Sequence, residues 1–292
     1  MANLIPIWKD TYYTETIEDG GSIEYSIEAK ITDETTTETI FNGKAWANPN
    51  TNEVKININN LVKDYLNFEL PDLNSVTALL TLPHPNAIKT FYFIRNGVAV
   101  AQYTFIKDWS YKAHNSNILS TPINGKYVDG QLFFKTDIIN DTVKTSIQHS
   151  PNALYSNNLC GVRYVLYYLN RYGGMDSFVL EGKCVKTDNY TPYFITSTYD
   201  NNTTEFGKKI YHNDITTTYN LITGWLKDSE SENLAFNLIS SNLVYLHDIK
   251  EDKIMPVVIT NTSVDYKTFR NQNNKLYNYT ISVECSQKEH RL

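Results

Sequence analysis

Residues 160–182 read CGVRYVLYYLNRYGGMDSFVLEG. The stretch has the form of a strand, a glycine turn and a returning strand, and its alternation is the informative feature. In an extended chain Arg163, Val165, Tyr167 and Leu169 point to one side, and Tyr164, Leu166, Tyr168 and Asn170 point to the other. A strand with one wet face would carry polar residues at every second position. Here both faces are largely apolar or aromatic, so the hairpin needs cover on both sides. Any fold assigned to the chain has to supply two covers for this one piece of sheet.

Working outward, other segments show the simpler pattern. From Ser22 to Ile31, SIEYSIEAKI sets Ile23, Tyr25, Ile27 and Ala29 against Glu24, Ser26, Glu28 and Lys30, which is a strand with one solvated face. KAWANPNTNEVKININ predicts a strand, a turn at Asn48-Pro49-Asn50 and a returning strand carrying Val54, Ile56 and Ile58, that is, a hairpin. Asn96-Gly97 predicts a tight hairpin turn, because both residues tolerate positive φ. Asn60 is placed to cap a short helix with Leu61, Tyr65 and Phe68 on one stripe, stopped by Pro71. Late in the chain, DSESENLAFNLISSN sets Leu234, Leu238 and Ile239 at helical spacing behind a Ser229 to Glu232 capping box.

Composition agrees with these local readings. The 292 residues include 22 Tyr and 12 Phe but only 12 Gly and 3 Met, a bias toward strand formers. The expected fold is mainly β: sandwich or barrel domains with few short helices, and a C-terminal β-sandwich-plus-helix module. Two domains are expected, 1–188 and 189–292, the first containing a long polar connection at 108–130 and the second one helix over about 229–241. The long connection is an alternative place for the boundary. Loops of that length are commonly functional or pack on a partner.

The charge pattern and the motifs exclude several functions. The formal net charge is −6 and the 26 Lys and Arg are dispersed, so no cationic surface for phosphates is expected and DNA affinity should be negligible. No window approaches the roughly 18 apolar residues that mark a membrane span, and MANLIPIWKD lacks the form of a signal peptide. Three cysteines, Cys160, Cys184 and Cys285, include no CxxC pair, which points to free thiols rather than a disulfide framework or structural zinc. No GxSxG, HExxH, phosphate-cradling glycine loop or EF-hand spacing is present, so no catalytic residue, metal ligand or cofactor is expected. His212 and Asp214, with Glu205 nearby in sequence, are the one place where a histidine and carboxylates crowd together. A solvated strand end is the plainer reading of that cluster. Trp46, Trp109, Trp225 and the tyrosines could stack on sugars, although filling cores and interfaces is the commoner use of such side chains.

Five long stretches carry a resemblance: GKAWANPNTNEVKININNLVKDYL, VAQYTFIKDWSY, the opening hairpin, TEFGKKIYHNDITTTYNLITGWLKDSESENLAFNLISSNLVYLHDI and VDYKTFRNQNNKLYNYTISVECSQ. Together they resemble a structural protein of crAss-like phages of Bacteroides, a tail protein of the kind that stacks as rings beneath the portal. The resemblance implies a non-enzymatic virion component, made in the host cytoplasm. It would form a cyclic homo-oligomer, a dodecamer matching the portal, in contact with the portal and other tail proteins. By fold analogy the C-terminal module fits phage tail proteins. On this view the second cover of the hairpin comes from a neighbouring subunit, and the expected interface residues are Trp109, Tyr111, Tyr167, Tyr168, Arg171, Tyr172, Gly173 and Gly174. A receptor- or carbohydrate-binding tail adhesin is the alternative.

Overall fold

In the computed structural model the described residues are 4–17, 21–30, 37–67, 70, 72–75, 79–107, 126, 128–139, 142–149, 163–170, 174–196, 207–261, 277–287 and 289–291. The chain is mainly β. In chain order its strands are β1 (Leu4–Pro6), β2 (Tyr12–Thr16), β3 (Ser22–Lys30), β4 (Thr37–Trp46), β5 (Glu53–Asn57), β6 (Leu80–His84), β7 (Ile88–Arg95) and β8 (Val98–Ile106). Beyond the long connection follow β9 (Leu132–Ile139), β10 (Thr142–His149), β11 (Tyr164–Leu169), β12 (Met175–Leu180), β13 (Cys184–Thr196), β14 (Lys208–Ile222), β15 (Val244–Asp248), β16 (Lys253–Ile259), β17 (Thr280–Cys285) and β18 (Glu289–Arg291). Among the described residues there are two short α-helices, α1 (Ile58–Val62) and α2 (Asp228–Asn233), the second running into a π-helical turn at Leu234–Ile239.

The N-terminal part is a five-stranded sheet, β1-β8-β7-β3-β4, covered on one face by the β2-β5 pair and α1. Strand β3 behaves as its alternation requires, with Ile23, Ile27 and Ala29 buried. The Asn96-Gly97 turn has φ of 49° and 75°, both left-handed, and joins β7 to β8 as expected. The hairpin expected across Asn48-Pro49-Asn50 does not form a ladder. Strand β4 pairs with β3, whereas β5 leaves for β2 in another sheet, so the turn is a corner between layers. Helix α1 also begins earlier than expected, because Asn57 caps it by accepting from Asn60 N–H at 3.4 Å. Its buried side is Ile58 and Val62, followed by Leu66; Leu61 is partly buried against the same core, as expected, while Tyr65 is exposed; Phe68 lies outside the described residues.

The rest of the chain explains the opening hairpin. Strands β11 and β12 pair antiparallel, and β11 also pairs with β15, which places both in the large sheet β12-β11-β15-β16-β17-β14-β13. Val165, Tyr167, Leu169, Met175 and Val179 face a three-stranded sheet, β6-β10-β9, where they meet Leu132, Phe134, Val143 and Ile147. On the opposite face Tyr164, Leu166, Tyr168, Phe178 and Leu180 join Leu234 and Leu238 of the helical segment with Leu221, Ile281 and Val283. One hairpin thus belongs to two cores. Burying each such large side chain contributes on the order of 1.5–3 kcal/mol, so the doubly apolar pattern is what joins the two layers. Arg163, at the open end of β11, pairs with Asp248 through contacts of 2.7–3.2 Å.

This arrangement corrects two expectations. The boundary placed at 188 falls inside β13, and strands on either side of it share one sheet. The long connection does not cleanly divide the chain either, since β6 precedes it and pairs with β10 beyond it. The C-terminal helix is capped differently as well: Glu230 Oε2 accepts from Lys227 N–H at 2.7 Å, in place of the Ser229 to Glu232 box.

Candidate interaction surface

Tyr167 and Tyr168 were expected to be covered by a neighbouring subunit, but both are 0% exposed within this single chain. Their covers are intramolecular, supplied by the two cores described above. Gly174 is buried too, and it closes the hairpin by donating to Asn170 Oδ1 at 3.0 Å while its carbonyl accepts from Asn170 N–H at 2.8 Å. Trp109, Tyr111, Arg171, Tyr172 and Gly173 lie outside the described residues. Among the described residues no group of three His, Cys, Asp or Glu is placed to hold a metal, and no helix is long and apolar enough to cross a membrane.

Among the described residues a dense group of exposed apolar side chains lies elsewhere, on β13 and β14. These are the longest strands of the fold, with 13 and 15 residues, and they form a continuous antiparallel ribbon from Cys184↔Leu221 to Thr196↔Lys208. Among the described residues only the base of the ribbon is part of the wider sheet. There β14 pairs with β17 over Thr218–Ile222 and with β18 over Asn213–Ile215; beyond Asn213 its one partner among the described residues is β13.

Register assigns each side chain to a face. Cys184, Lys186, Asp188, Tyr190, Pro192 and Phe194 stand opposite Leu221, Tyr219, Thr217, Ile215, Asn213 and Ile210. At the base this face enters the C-terminal core through Leu221 and Tyr219. It then continues outward as a stripe of Tyr190, Phe194 and Ile210, which are 61%, 45% and 55% exposed, with the Lys208 ammonium 3.8 Å from the Phe194 ring. The core's apolar face therefore runs on past the end of the core. An isolated two-stranded ribbon is marginal in water, and large apolar side chains left on it mark a docking surface.

The other distal face holds a second group. Tyr193 lies opposite His212, and the register then slips so that Phe194 meets Ile210. The bulged residue is Tyr211. His212 Nε2 lies 2.6 Å from Asp214 Oδ1, and the Tyr193 hydroxyl donates to Asp214 Oδ2 at 3.2 Å. The histidine and carboxylate singled out in the sequence do meet, whereas Glu205 lies outside the described residues. Trp46 and Trp225 are exposed on other parts of the surface.

Sequence reasoning missed the ribbon because its signals point two ways. CVKTDNYTPYFIT is rich in Thr and Tyr but carries Pro192 mid-strand, which reads as a linker. In the structure that proline sits on an edge strand, since among the described residues β13 pairs only with β14. Comparison of the chain with protein-family models, curated proteins and solved structures finds no match.

Proposed function

We propose that this chain is a structural subunit of a phage tail, one copy of a ring stacked below the portal and forming part of the conduit through which DNA leaves. The reading starts from the resemblance carried by the five long sequence stretches. The observation that supports it most is the distal ribbon, whose stripe of Tyr190, Phe194 and Ile210 extends an apolar face beyond its own core. Such a surface suits a heterologous contact, in which each subunit offers one patch to the next and a different one to the last, so that the assembly closes on itself. Tyr167 and Tyr168, buried within the single chain, do not reach that contact, and the ribbon takes their place. A net charge of −6 suits a wall along which DNA slides without being held.

The test is electron microscopy and mass photometry of the purified full chain, with antibody labelling of virions. Closed rings of uniform copy number, and label between capsid and fibres, are expected. A chain that stays monomeric at high concentration, a trimeric spike, or label at the fibre tips would overturn the reading.

A further inference from the structure

The ribbon face turned away from the C-terminal core has a different chemistry from the stripe. Thr187, Asn189, Thr191 and Tyr193 stand opposite Thr218, Thr216, Asp214 and His212, so hydroxyl and amide groups lead along this face to an aromatic end. That end is built by the bulge. The extra residue brings Tyr211 beside His212, in the way bulges re-aim side chains. The rings of Tyr193 and His212 are 5.5 Å apart, and Tyr211 lies 6.4 Å from each. Asp214 anchors two of the three rings through its contacts with His212 and the Tyr193 hydroxyl. Tyr193 and Tyr211 nevertheless remain 41% and 51% exposed. The result is a cluster of three rings, tilted 32–57° to one another, continuous with a polar ladder.

We infer that this face binds a neutral oligosaccharide. A pyranose ring presents a C–H surface that stacks on an aromatic face and a rim of hydroxyls that exchange hydrogen bonds with threonine, asparagine and tyrosine side chains. Both halves of that chemistry are present on one face, carried on a strand ladder rather than a loop. Other ligands fit less well. The three rings touch one another and leave no space between them for the caged cation of an ammonium site. The Asp214 carboxylate at the ring cluster opposes a phosphate or sulfate. An added peptide strand would meet Pro192 on the β13 edge and the Tyr211 bulge on the distal edge of β14, both of which interrupt a ladder. The inference uses the opposite face from the assembly stripe and holds or fails independently of the ring reading.

The test uses the full chain and immobilised neutral hexasaccharides of glucose, mannose, galactose and xylose. Retention of at least one of the four is expected. Tyr193→Ala and Tyr211→Ala should each weaken it about tenfold or more, the equivalent of roughly 1.4 kcal/mol. Asp214→Ala should weaken it less, by releasing the rings, and Trp46→Ala should leave it unchanged. Thermal melting of each variant verifies folding. Absence of retention for all four sugars by the folded wild type would overturn the inference. So would retention that survives the Tyr193→Ala/Tyr211→Ala double variant, or an equal loss in Trp46→Ala, which would mean unspecific stacking on any exposed ring.

Discussion

At Tyr167 the phenol oxygen accepts from Leu132 N–H at 2.8 Å and lies 2.9 Å from His247 Nδ1. The other ring nitrogen of His247, Nε2, lies 3.4 Å from Asp252 Oδ1. The neighbouring hydroxyl of Tyr168 is equally buried and has no hydrogen-bond partner among the described residues. Burial pushes both phenols well above their ordinary range. Opposite outcomes are therefore expected from the same substitution. Tyr167→Phe should cost about 1–3 kcal/mol, because Leu132 N–H is left buried and unpaired, while Tyr168→Phe should be neutral or stabilising. Urea unfolding of the two variants decides this, and equal losses would refute it. Asp176, directly across from Tyr168, has its carboxyl pushed up to about 6 by burial, against the opposing hydrogen bond from Asn170 Nδ2 at 2.8 Å. The folded state holds this proton to higher pH than the unfolded chain does. Its contribution to stability is then fully present below about pH 4 and is lost as pH rises through 6. Asp176→Asn should stabilise the protein by about 1–3 kcal/mol at pH 8 and make little difference at pH 4. Thermal unfolding at the two pH values would show a pH-independent difference if the reasoning is wrong.

At the scale of elements, the ribbon depends on how the chain leaves β12. Gly182 N–H donates to Ile222 O at 3.0 Å, which draws the entry to β13 against the base of β14. A Cβ at Gly182 would lie 2.4 Å from Ile222 Cγ2 and 2.6 Å from its carbonyl oxygen. Backbone cannot yield there as a flexible side chain would, so Gly182→Ala should destabilise the fold by more than about 2 kcal/mol. A melting temperature equal to the wild type's would show that the crossing is looser than its geometry implies. Gly97 is a glycine for a different reason: its φ of 75° requires one, and the space around it is open.

For the whole molecule, the large sheet is closed by two internal cores at one end and extends as an exposed ribbon at the other. Side chains already exposed in the single chain contribute little to its own stability, and their burial becomes available on association. Fully burying a large apolar side chain contributes roughly 1.5–3 kcal/mol. Tyr190→Asp combined with Phe194→Asp should consequently abolish assembly while leaving the unfolding midpoint within experimental error. Because apolar contact is not screened by ions, the wild-type assembly should persist at about 0.5 M salt. Sedimentation of both proteins checks the two statements. Assembly by the double variant, or wild-type dissociation in salt, would place the contact elsewhere.

Local pattern determined a good part of this protein. The alternation of β3, the Asn96-Gly97 turn, the mainly β class and the need of residues 163–170 for two covers all follow from side-chain period and turn chemistry, which act within a few residues. His212 and Asp214 were also legible as a pair, since residues two apart on a strand share a face. Which elements meet was not legible. Strand β5 leaving β4 for β2, β11 joining β15, and the second cover of the hairpin coming from this chain itself are pairings between distant segments, and periodicity carries no partner's identity. The ribbon shows the same limit most clearly: Tyr190 and Tyr168 are alike in sequence, and only the tertiary structure buries one and exposes the other, because burial depends on what the rest of the chain brings alongside.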